Sequence, residues 1–335
     1  MLVSWNTTNQ CNMYCDHCYR NARDQLADEL STAEAKKLIQ EIKQAGFFIM
    51  IFSGGEPMMR PDIYELGSYA AACGLRPVLG SNGTLITPEA ARSLKQAGFM
   101  AAGISLDSLD PVKNDQFRKL ERTFERTLSG IENLKAAGIP FQLHTTVMDW
   151  NNHELEDITD FAVEIGAMAH HIFFLVPTGR AVQIEDEALR VVDYERTINR
   201  IMEKQKSVAI ELKPTCAPQF MRVADKKGLN LRFSKGCLAG VSYCIISPRG
   251  DLQPCAYMDM PVGNVRQTPF DVLWRDSEVF QCLRTEEYEG KCGYCDYRLK
   301  CGGCRARARY YHGDYMAGDS WCLYQPPGMV EVADG

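Results

Sequence analysis

Residues 1–214 repeat one pattern, an apolar β-rich run followed by a helical pattern that ends at a glycine. The six apolar runs are 2–8, 48–53, 76–81, 101–107, 140–147 and 170–176. The glycines that precede a following run are Gly46, Gly74, Gly98, Gly138 and Gly166, as expected of the left-handed residue that ends many helices. Alternating strands and helices predict an α/β fold with a parallel sheet. The pattern alone leaves an open doubly wound sheet and a partial barrel as alternatives.

The composition changes near Pro214. A helix at about 189–206 and a strand at 208–213 end the regular part, and the remaining chain is rich in cysteine, glycine and turns. We therefore expect two domains, 1–214 and 215–335. A turn signal at 248–251 predicts a small hairpin in the second domain.

The 14 cysteines are unevenly distributed, with five in residues 1–236 and nine in residues 237–322. A secreted disulfide scaffold would be short and would start with a signal peptide, and the residues before Cys11 do not have that pattern. Clustered thiols in a reducing compartment are more typical of metal ligands. We therefore expect a cytoplasmic metalloprotein.

The charge balance argues against two classes of partner. The chain has 37 basic and 43 acidic residues, for a net charge of −6, so no global positive field attracts nucleic acid or an anionic membrane. No apolar run is long enough to span a bilayer. We expect neither a nucleic-acid partner nor a membrane.

The first cysteine group directly follows the first predicted strand. Cys11, Cys15 and Cys18 have the spacing C-x3-C-x2-C. Three thiolates can hold three irons of a cubane and leave the fourth iron open to a substrate or cofactor. A zinc site or free thiols are the alternatives at this point.

A second motif follows the next predicted strand, where Ser53 leads into Gly54-Gly55-Glu56-Pro57. By itself it is a strand-end turn. Together with the cysteine loop, it resembles the radical S-adenosylmethionine (SAM) enzymes. The resemblance implies SAM and one catalytic 4Fe-4S cluster, with Gly54 to Pro57 at the SAM amino group and His17 beside the adenine.

The same resemblance implies a partial (β/α)6 TIM barrel, with further SAM or substrate contacts at later strand ends. The polar candidates there are Asn82, Ser105, Asp107 and Thr145. Each is a weak signal alone, because strand ends are often polar.

The second domain contains two close C-x2-C pairs, which by themselves favour zinc. After a radical SAM loop, they resemble the SPASM extension and imply two auxiliary 4Fe-4S clusters, although the last pair encloses two residues where the family usually has three. The implied ligands of the first are Cys237, Cys255 and Cys304, with Cys216, Cys244 or an open fourth position. Those of the second are Cys292, Cys295, Cys301 and Cys322. We interpret Cys73 and Cys282 as small buried hydrophobic residues.

Two arginines are candidates for binding substrate carboxylates. Arg180 follows the sixth predicted strand, and Arg305 lies in the acid-free stretch 298–309. For most arginines of that stretch, compensation of cluster charge and a solvated surface are the simpler interpretation.

Four longer segments narrow the resemblance to the NirJ/Ahb group of radical SAM enzymes, and within it to the second NirJ-like type. They are VSWNTTNQCNMYCDHCYR, HHIFFLVPTGRA, ELKPTCAPQFMR and KCGYCDYRLKCGGCRARA. That group modifies tetrapyrrole side chains in heme and heme d1 biosynthesis. The resemblance implies an iron-tetrapyrrole substrate, whose propionates are decarboxylated oxidatively or whose propionate or acetate groups are removed. It also implies an electron donor such as flavodoxin or ferredoxin.

Two other classes stay open. SPASM enzymes also modify ribosomally made peptides, often with a fused recognition domain, and we expect none here because few residues flank Cys11 and Cys322. The non-enzyme alternative is a zinc-binding or electron-transfer protein, which would bind no SAM.

Overall fold

The structure is a computed structural model that describes residues 1–327. In this part of the chain, ten strands form one sheet. The strands are β1 (Leu2–Asn6), β2 (Ile49–Ser53), β3 (Arg76–Ser81), β4 (Ala101–Ser105), β5 (Phe141–Val147), β6 (Ala169–Phe174), β7 (Glu211–Thr215), β8 (Tyr243–Ile246), β9 (Asp251–Gln253) and β10 (Gly263–Asn264).

The helices fall into a regular set that connects the first seven strands and a set of shorter helices that follows them. The first set is α1 (Thr32–Gln44), α2 (Ile63–Ala72), α3 (Pro88–Gln96), α4 (Pro111–Arg118), α5 (Thr123–Ala136), α6 (Leu155–Glu164) and α7 (Val191–Lys204). The second set is α8 (Phe220–Lys226), α9 (Phe270–Asp276), α10 (Glu278–Thr285), α11 (Gly290–Gly293) and α12 (Arg305–His312). Three 3-10 helices cover Pro57–Met59, Asn152–Glu154 and Gly179–Glu187.

The sheet joins the two predicted regions. Its order is β10-β9-β8-β1-β2-β3-β4-β5-β6-β7. Strands β1 to β7 follow each other in parallel, and β8 adds to the free edge of β1, also in parallel. Strands β9 and β10 continue that edge as antiparallel strands. The partial barrel predicted for the first six strands is thus confirmed, and the second region extends its sheet.

Local sequence signals account for most element ends. All five glycines that were predicted to end helices have positive φ angles, between 67° and 84°. The Ser31 side chain accepts from the Glu34 backbone N–H at the start of α1, and Glu34 bonds back to the Ser31 N–H, a capping box. The hairpin predicted at 248–251 is the β8–β9 turn. The strand predicted at 208–213 is shifted and appears as β7.

The two faces of the sheet differ in chemistry. Side chains such as Trp5, Phe52 and Leu143 are fully buried in the main apolar core beneath the helices. Side chains of the other face are half-buried and alternate with the buried ones along β2, β5, β6 and β7. They are mostly apolar on β2, as at Ile49 and Ile51, and partly polar on β5, where Gln142 and His144 lie between buried neighbours. This mixed inner face lines the barrel. No helix in residues 1–327 is long and apolar enough to cross a membrane.

Candidate active site and auxiliary cysteine groups

The loop after β1 brings Cys11, Cys15 and Cys18 together. The thiols lie close enough that negative charge on Cys15 or Cys18 raises the pKa of Cys11. Burial raises the pKa of Cys11 to about 12 and that of Cys15 to about 11. Thiols of this kind give up their protons when iron binds, so iron binding and deprotonation are coupled.

Arg180 holds this loop in place. Its guanidinium donates to the Cys15 carbonyl at 2.9 Å and to the Ala22 carbonyl at 3.0 Å. The backbone N–H of Arg180 donates to the Cys18 carbonyl at 2.9 Å, and its guanidinium stacks 3.9 Å from the centre of the Tyr14 ring. The side chain is 6% exposed. The structure therefore gives Arg180 a positioning role, and its predicted contact with substrate has no support in these bonds.

The glycine pair after β2 allows two loops to meet. The Gly55 N–H donates to the Thr8 carbonyl at 2.8 Å, and the Glu56 N–H donates to the Gln10 carbonyl at 2.8 Å. A Cβ atom at Gly54 would lie 2.5 Å from the Thr8 oxygen, and one at Gly55 would lie 2.3 Å from the Gln10 oxygen. Only glycine fits this approach, and the neighbour it accommodates is the cysteine loop itself.

The Glu56 carboxylate connects the ends of β2 and β3. It accepts from the Ser81 hydroxyl at 2.8 Å, from the Asn82 N–H at 2.9 Å and from the Met58 N–H at 3.1 Å. Burial nevertheless raises the pKa of Glu56 to about 7. The Asn82 amide donates to Asn12 in the cysteine loop at 2.8 Å. Glu56 and Asn82, predicted for SAM, thus lie beside the loop, and Pro57 begins the 3-10 helix that follows.

Asp107 and His17 meet on the other side of the loop. Asp107 is fully buried, and its carboxylate pairs with Arg118 at 2.6 Å and faces His17 Nε2 at 3.8 Å. The His17 ring stacks on Phe117 with centroids 4.2 Å apart. Burial lowers the pKa of His17 to about 4, so the ring is neutral. Arg118 was not predicted, because no sequence motif marks the last residue of α4.

The last two strand-end candidates face opposite ways. Ser105 is paired with His144 across the sheet and lies on the inner face. Thr145 is fully buried on the helix side, where its hydroxyl donates to the Leu106 carbonyl at 2.6 Å and meets His170 at 2.9 Å. Thr145 is therefore not placed to contact a molecule inside the barrel.

Several buried polar atoms near the loop lack partners within the described chain. They are His17 Nδ1, Asn6 Nδ2 and Arg20 Nε. Buried polar groups are nearly always bonded, so a polar ligand or bound water would supply the missing partners. SAM, with its amino, carboxylate and ribose groups, fits this surrounding.

Cys216, Cys237, Cys255 and Cys304 form the first auxiliary group. Cys216 lies close enough to Cys304, Cys255 and Cys237 that negative charge on these thiols raises its pKa. Charge on Cys237 likewise raises the pKa of Cys255 and that of Cys304. Burial raises the pKa of Cys304 to about 11. Cys216 directly follows β7 with φ +60°, which turns the chain toward the group.

Cys244 lies elsewhere. It is fully buried on the helix side of β8, within the main apolar core. Its thiol is therefore not placed to be the fourth ligand of the first auxiliary group, which leaves Cys216 or an open fourth position as the predicted alternatives. Cys73 and Cys282 pack at the edge of the same core.

Cys292, Cys295, Cys301 and Cys322 form the second auxiliary group. Cys301 lies close enough to Cys322 and Cys292 that negative charge on these thiols raises its pKa. Charge on Cys292 likewise raises the pKa of Cys295 and that of Cys322. Gly302 and Gly303 both have positive φ angles between the two groups. A Cβ atom at Gly303 would lie 2.9 Å from the Cys292 sulfur.

A buried ion pair links the two auxiliary groups. Arg307 and Asp319 are both fully buried, with 3.2 Å between their nitrogen and oxygen atoms. Asp319 accepts from the Cys304 N–H at 2.8 Å, and its own N–H donates to the Cys292 sulfur at 3.4 Å. Arg307 donates to the Cys216 carbonyl at 2.8 Å. Sequence reasoning missed this role, because Asp319 belongs to no motif.

Arg305 also lies inside the protein. It is 1% exposed and donates to the Tyr315 and Ala317 carbonyls at 3.0 and 2.8 Å. A further N–H points at the Cys292 sulfur at 3.4 Å. This placement supports charge compensation next to the second auxiliary group more than capture of a substrate carboxylate.

The grouping of the cysteines fits iron–sulfur clusters. Three separate thiol groups, one with three members and two with four, are the donor sets that iron–sulfur clusters use.

Known proteins show the same two parts. Residues 5–162 match the radical SAM superfamily, and residues 237–302 match an iron-sulfur cluster-binding domain, SPASM. The SuiB structure from Streptococcus suis, solved with S-adenosylmethionine, superposes with a TM-score of 0.77 at 16% identity, covering 96% of this chain and 77% of that one. Fold and site thus define a radical SAM enzyme with a SPASM domain.

Two curated relatives are similar over nearly their full length. The AdoMet-dependent heme synthase of Nitratidesulfovibrio vulgaris is 44% identical, covering 98% of this chain and 94% of the relative. The AdoMet-dependent heme synthase of Methanosarcina barkeri is 42% identical, covering 97% of both. The chain therefore belongs to the NirJ/Ahb group of radical SAM enzymes, as its motifs predicted.

Proposed function

We propose that this protein converts propionate side chains of iron-coproporphyrin III to vinyl groups, the final step of a heme synthesis. Support comes from the 42–44% identity to AdoMet-dependent heme synthases over nearly the whole chain. Each conversion removes one hydrogen atom from the propionate β-carbon, one carbon dioxide and one electron. When bound, SAM and the catalytic cluster supply the radical that takes the hydrogen atom, and auxiliary clusters supply an acceptor for the electron.

The chain's own residues suit this chemistry. Arg180 and the glycine pair fix the cysteine loop at one end of the barrel, and half-buried polar side chains of β5 and β6, such as His144 and His171, face the barrel interior. We propose two auxiliary clusters, on Cys216, Cys237, Cys255 and Cys304 and on Cys292, Cys295, Cys301 and Cys322. A cytoplasmic location and reduction by flavodoxin or ferredoxin complete the proposal.

The test is an anaerobic assay of reconstituted protein with SAM, dithionite and iron-coproporphyrin III, followed by mass spectrometry of the porphyrin. We expect 5′-deoxyadenosine and a product that has lost one carbon dioxide and two hydrogen atoms per propionate. An unchanged porphyrin with SAM still cleaved would contradict the proposal. Didecarboxysiroheme would then be tested for side-chain removal.

Modification of a ribosomally made peptide is the second candidate. This candidate rests on the fold shared with SuiB at 16% identity. A shared fold does not identify the substrate. The same assay with a candidate precursor peptide distinguishes the two.

A further inference from the structure

One row of side chains crosses the inner face at a single level. The register places His144 of β5 beside His171 of β6 and His171 beside Lys213 of β7. All three are half-buried and alternate with residues buried under the helices. They take no part in holding the cysteine loop or the auxiliary groups.

The two imidazoles stack on each other. Their rings are nearly parallel, at 5°, with centroids 5.2 Å apart, and the Phe173 ring lies 5.2 Å from that of His144. The His144 ring lies against Gly103, where a Cβ atom would be 2.3 Å from its Cε1 atom. The His144 ring therefore occupies the space that a side chain at position 103 of β4 would need.

His144 has the surroundings of a metal-binding histidine. Its Nε2 lies 3.4 Å from the Gln142 amide oxygen, and an acceptor on one ring nitrogen leaves the lone pair of the other free for a metal. Burial lowers the pKa of His144 well below its usual value, and nearby His171, His170 and Lys213 lower it further. The ring is thus neutral, as a ligand must be.

His170 precedes His171 in β6 but has a different environment. It faces the helix side, with its ring nitrogens 3.0 Å from the Thr159 hydroxyl and 2.9 Å from the Thr145 hydroxyl. Both nitrogens are used, so this histidine is part of the core. The neighbouring His171 Nε2 is buried without a hydrogen-bond partner in the described chain, and lies 3.9 Å from Glu211.

Lys213 adds a positive charge to the row. Glu211, two residues earlier on the same strand, accepts from Arg232 at 2.9 Å rather than from Lys213. The Lys213 ammonium lies 4.6 Å from the centre of the Phe233 ring. A carboxylate brought into the barrel would supply the partner that this ammonium lacks within residues 1–327.

We propose that this inner row binds the iron tetrapyrrole, with the His144 imidazole as an axial ligand of the iron and Lys213 paired with a propionate carboxylate. The inference rests on the proposed function and specifies its substrate site. An iron ligand and a cation at one level match the chemistry of an iron porphyrin that bears carboxylates.

The test compares two probes on the reconstituted holoenzyme, ferric coproporphyrin III and metal-free coproporphyrin III. His144→Ala should weaken binding of the ferric probe about tenfold or more, change its absorption and EPR spectra, and leave the metal-free probe unaffected. Added imidazole should restore the wild-type spectrum. Lys213→Met should weaken the binding of both porphyrins by a similar factor.

Two controls separate binding from folding. His153→Ala removes an exposed histidine whose side chain is 68% accessible. It should change neither the binding nor the spectrum of either porphyrin. His144→Gln serves if the alanine variant unfolds, with iron content and thermal melting measured for every variant. Wild-type affinity and spectra in the folded His144 variants would overturn the inference. If wild-type protein cleaves SAM but binds neither porphyrin, the proposed function fails together with it.

Discussion

The catalytic cysteine loop and the auxiliary cysteine region are held by different means. The loop follows β1 and is bonded through backbone groups to the neighbouring strand end, where Gly55 and Glu56 donate to its carbonyls. The auxiliary region has short helices and relies on buried side-chain charge, above all the Arg307–Asp319 pair. A regular sheet can place a loop through backbone hydrogen bonds, to which the Arg180 side chain adds further bonds. A region with little sheet needs charged groups and, when present, its clusters to fix its shape.

The largest effect should come from removing one thiol of the catalytic loop. Cys11→Ala should abolish formation of 5′-deoxyadenosine, because two protein thiolates remain where three are needed, while the auxiliary groups keep their iron. Iron and sulfide analysis with a SAM cleavage assay measures both. Cys73→Ala, outside all three groups, is the control. Residual SAM cleavage in Cys11→Ala would refute the assignment of this loop.

Breaking the buried ion pair should affect the auxiliary region alone. Arg307→Met leaves the Asp319 carboxylate buried without its partner, which typically costs about 3–5 kcal/mol. We expect lower thermal stability and loss of auxiliary iron, with SAM binding retained. Arg309→Met, an exposed residue of the same helix, is the matched control. Unchanged auxiliary iron in Arg307→Met would show that the clusters hold this region without the pair.

Adding one methyl group to the glycine pair should affect the catalytic loop alone. The Cβ atom of Gly55→Ala would lie 2.3 Å from the Gln10 oxygen, and overpacking of this kind costs about 1–3 kcal/mol. We expect loss of catalytic iron and of SAM binding, with auxiliary iron unchanged. Gly313→Ala is the control for backbone strain without overpacking, because its φ is +72° and its Cβ would meet no atom within 4 Å. Normal SAM affinity in Gly55→Ala would mean that the loop adjusts to the extra atom.

The smallest effect should come from a helix cap that belongs to neither region. Ser31→Ala removes the side-chain acceptor of the α1 capping box and should lower stability by about 1 kcal/mol. Both kinds of cluster should keep their iron. A chemical denaturation series measures the change, and Ser31→Thr should restore most of it. A loss of iron in Ser31→Ala would show that general stability, and not local contacts, controls cluster retention.

The regular part of the fold could be predicted because its signals are local. Glycines after helices and apolar runs between them lie within a few residues of the structure they specify, and the strand predicted at 76–81 has the bounds of β3. Motif spacing likewise indicated the catalytic cysteines. These features need no knowledge of distant contacts.

The orientation of strand residues could not be predicted in the same way. Thr145 is one residue from His144, and neighbouring residues on a strand point to opposite faces. Without the register, the sequence could not show that His144 faces the barrel interior. The Arg307–Asp319 pair and the choice of Cys216 over Cys244 depend on contacts between segments far apart in the chain.

The pairing of β1 with β8 has a consequence for synthesis of the chain. Leu2 pairs with Ile49 on one side and with Tyr243 on the other, so one edge of the first strand stays unpaired until the ribosome has made residue 243 and beyond. Exposed edges of this kind promote association between chains, and a domain that emerges first folds first. A nascent chain that stalls before β8 would therefore expose the strand that leads into the catalytic loop, and chaperone binding should concentrate there.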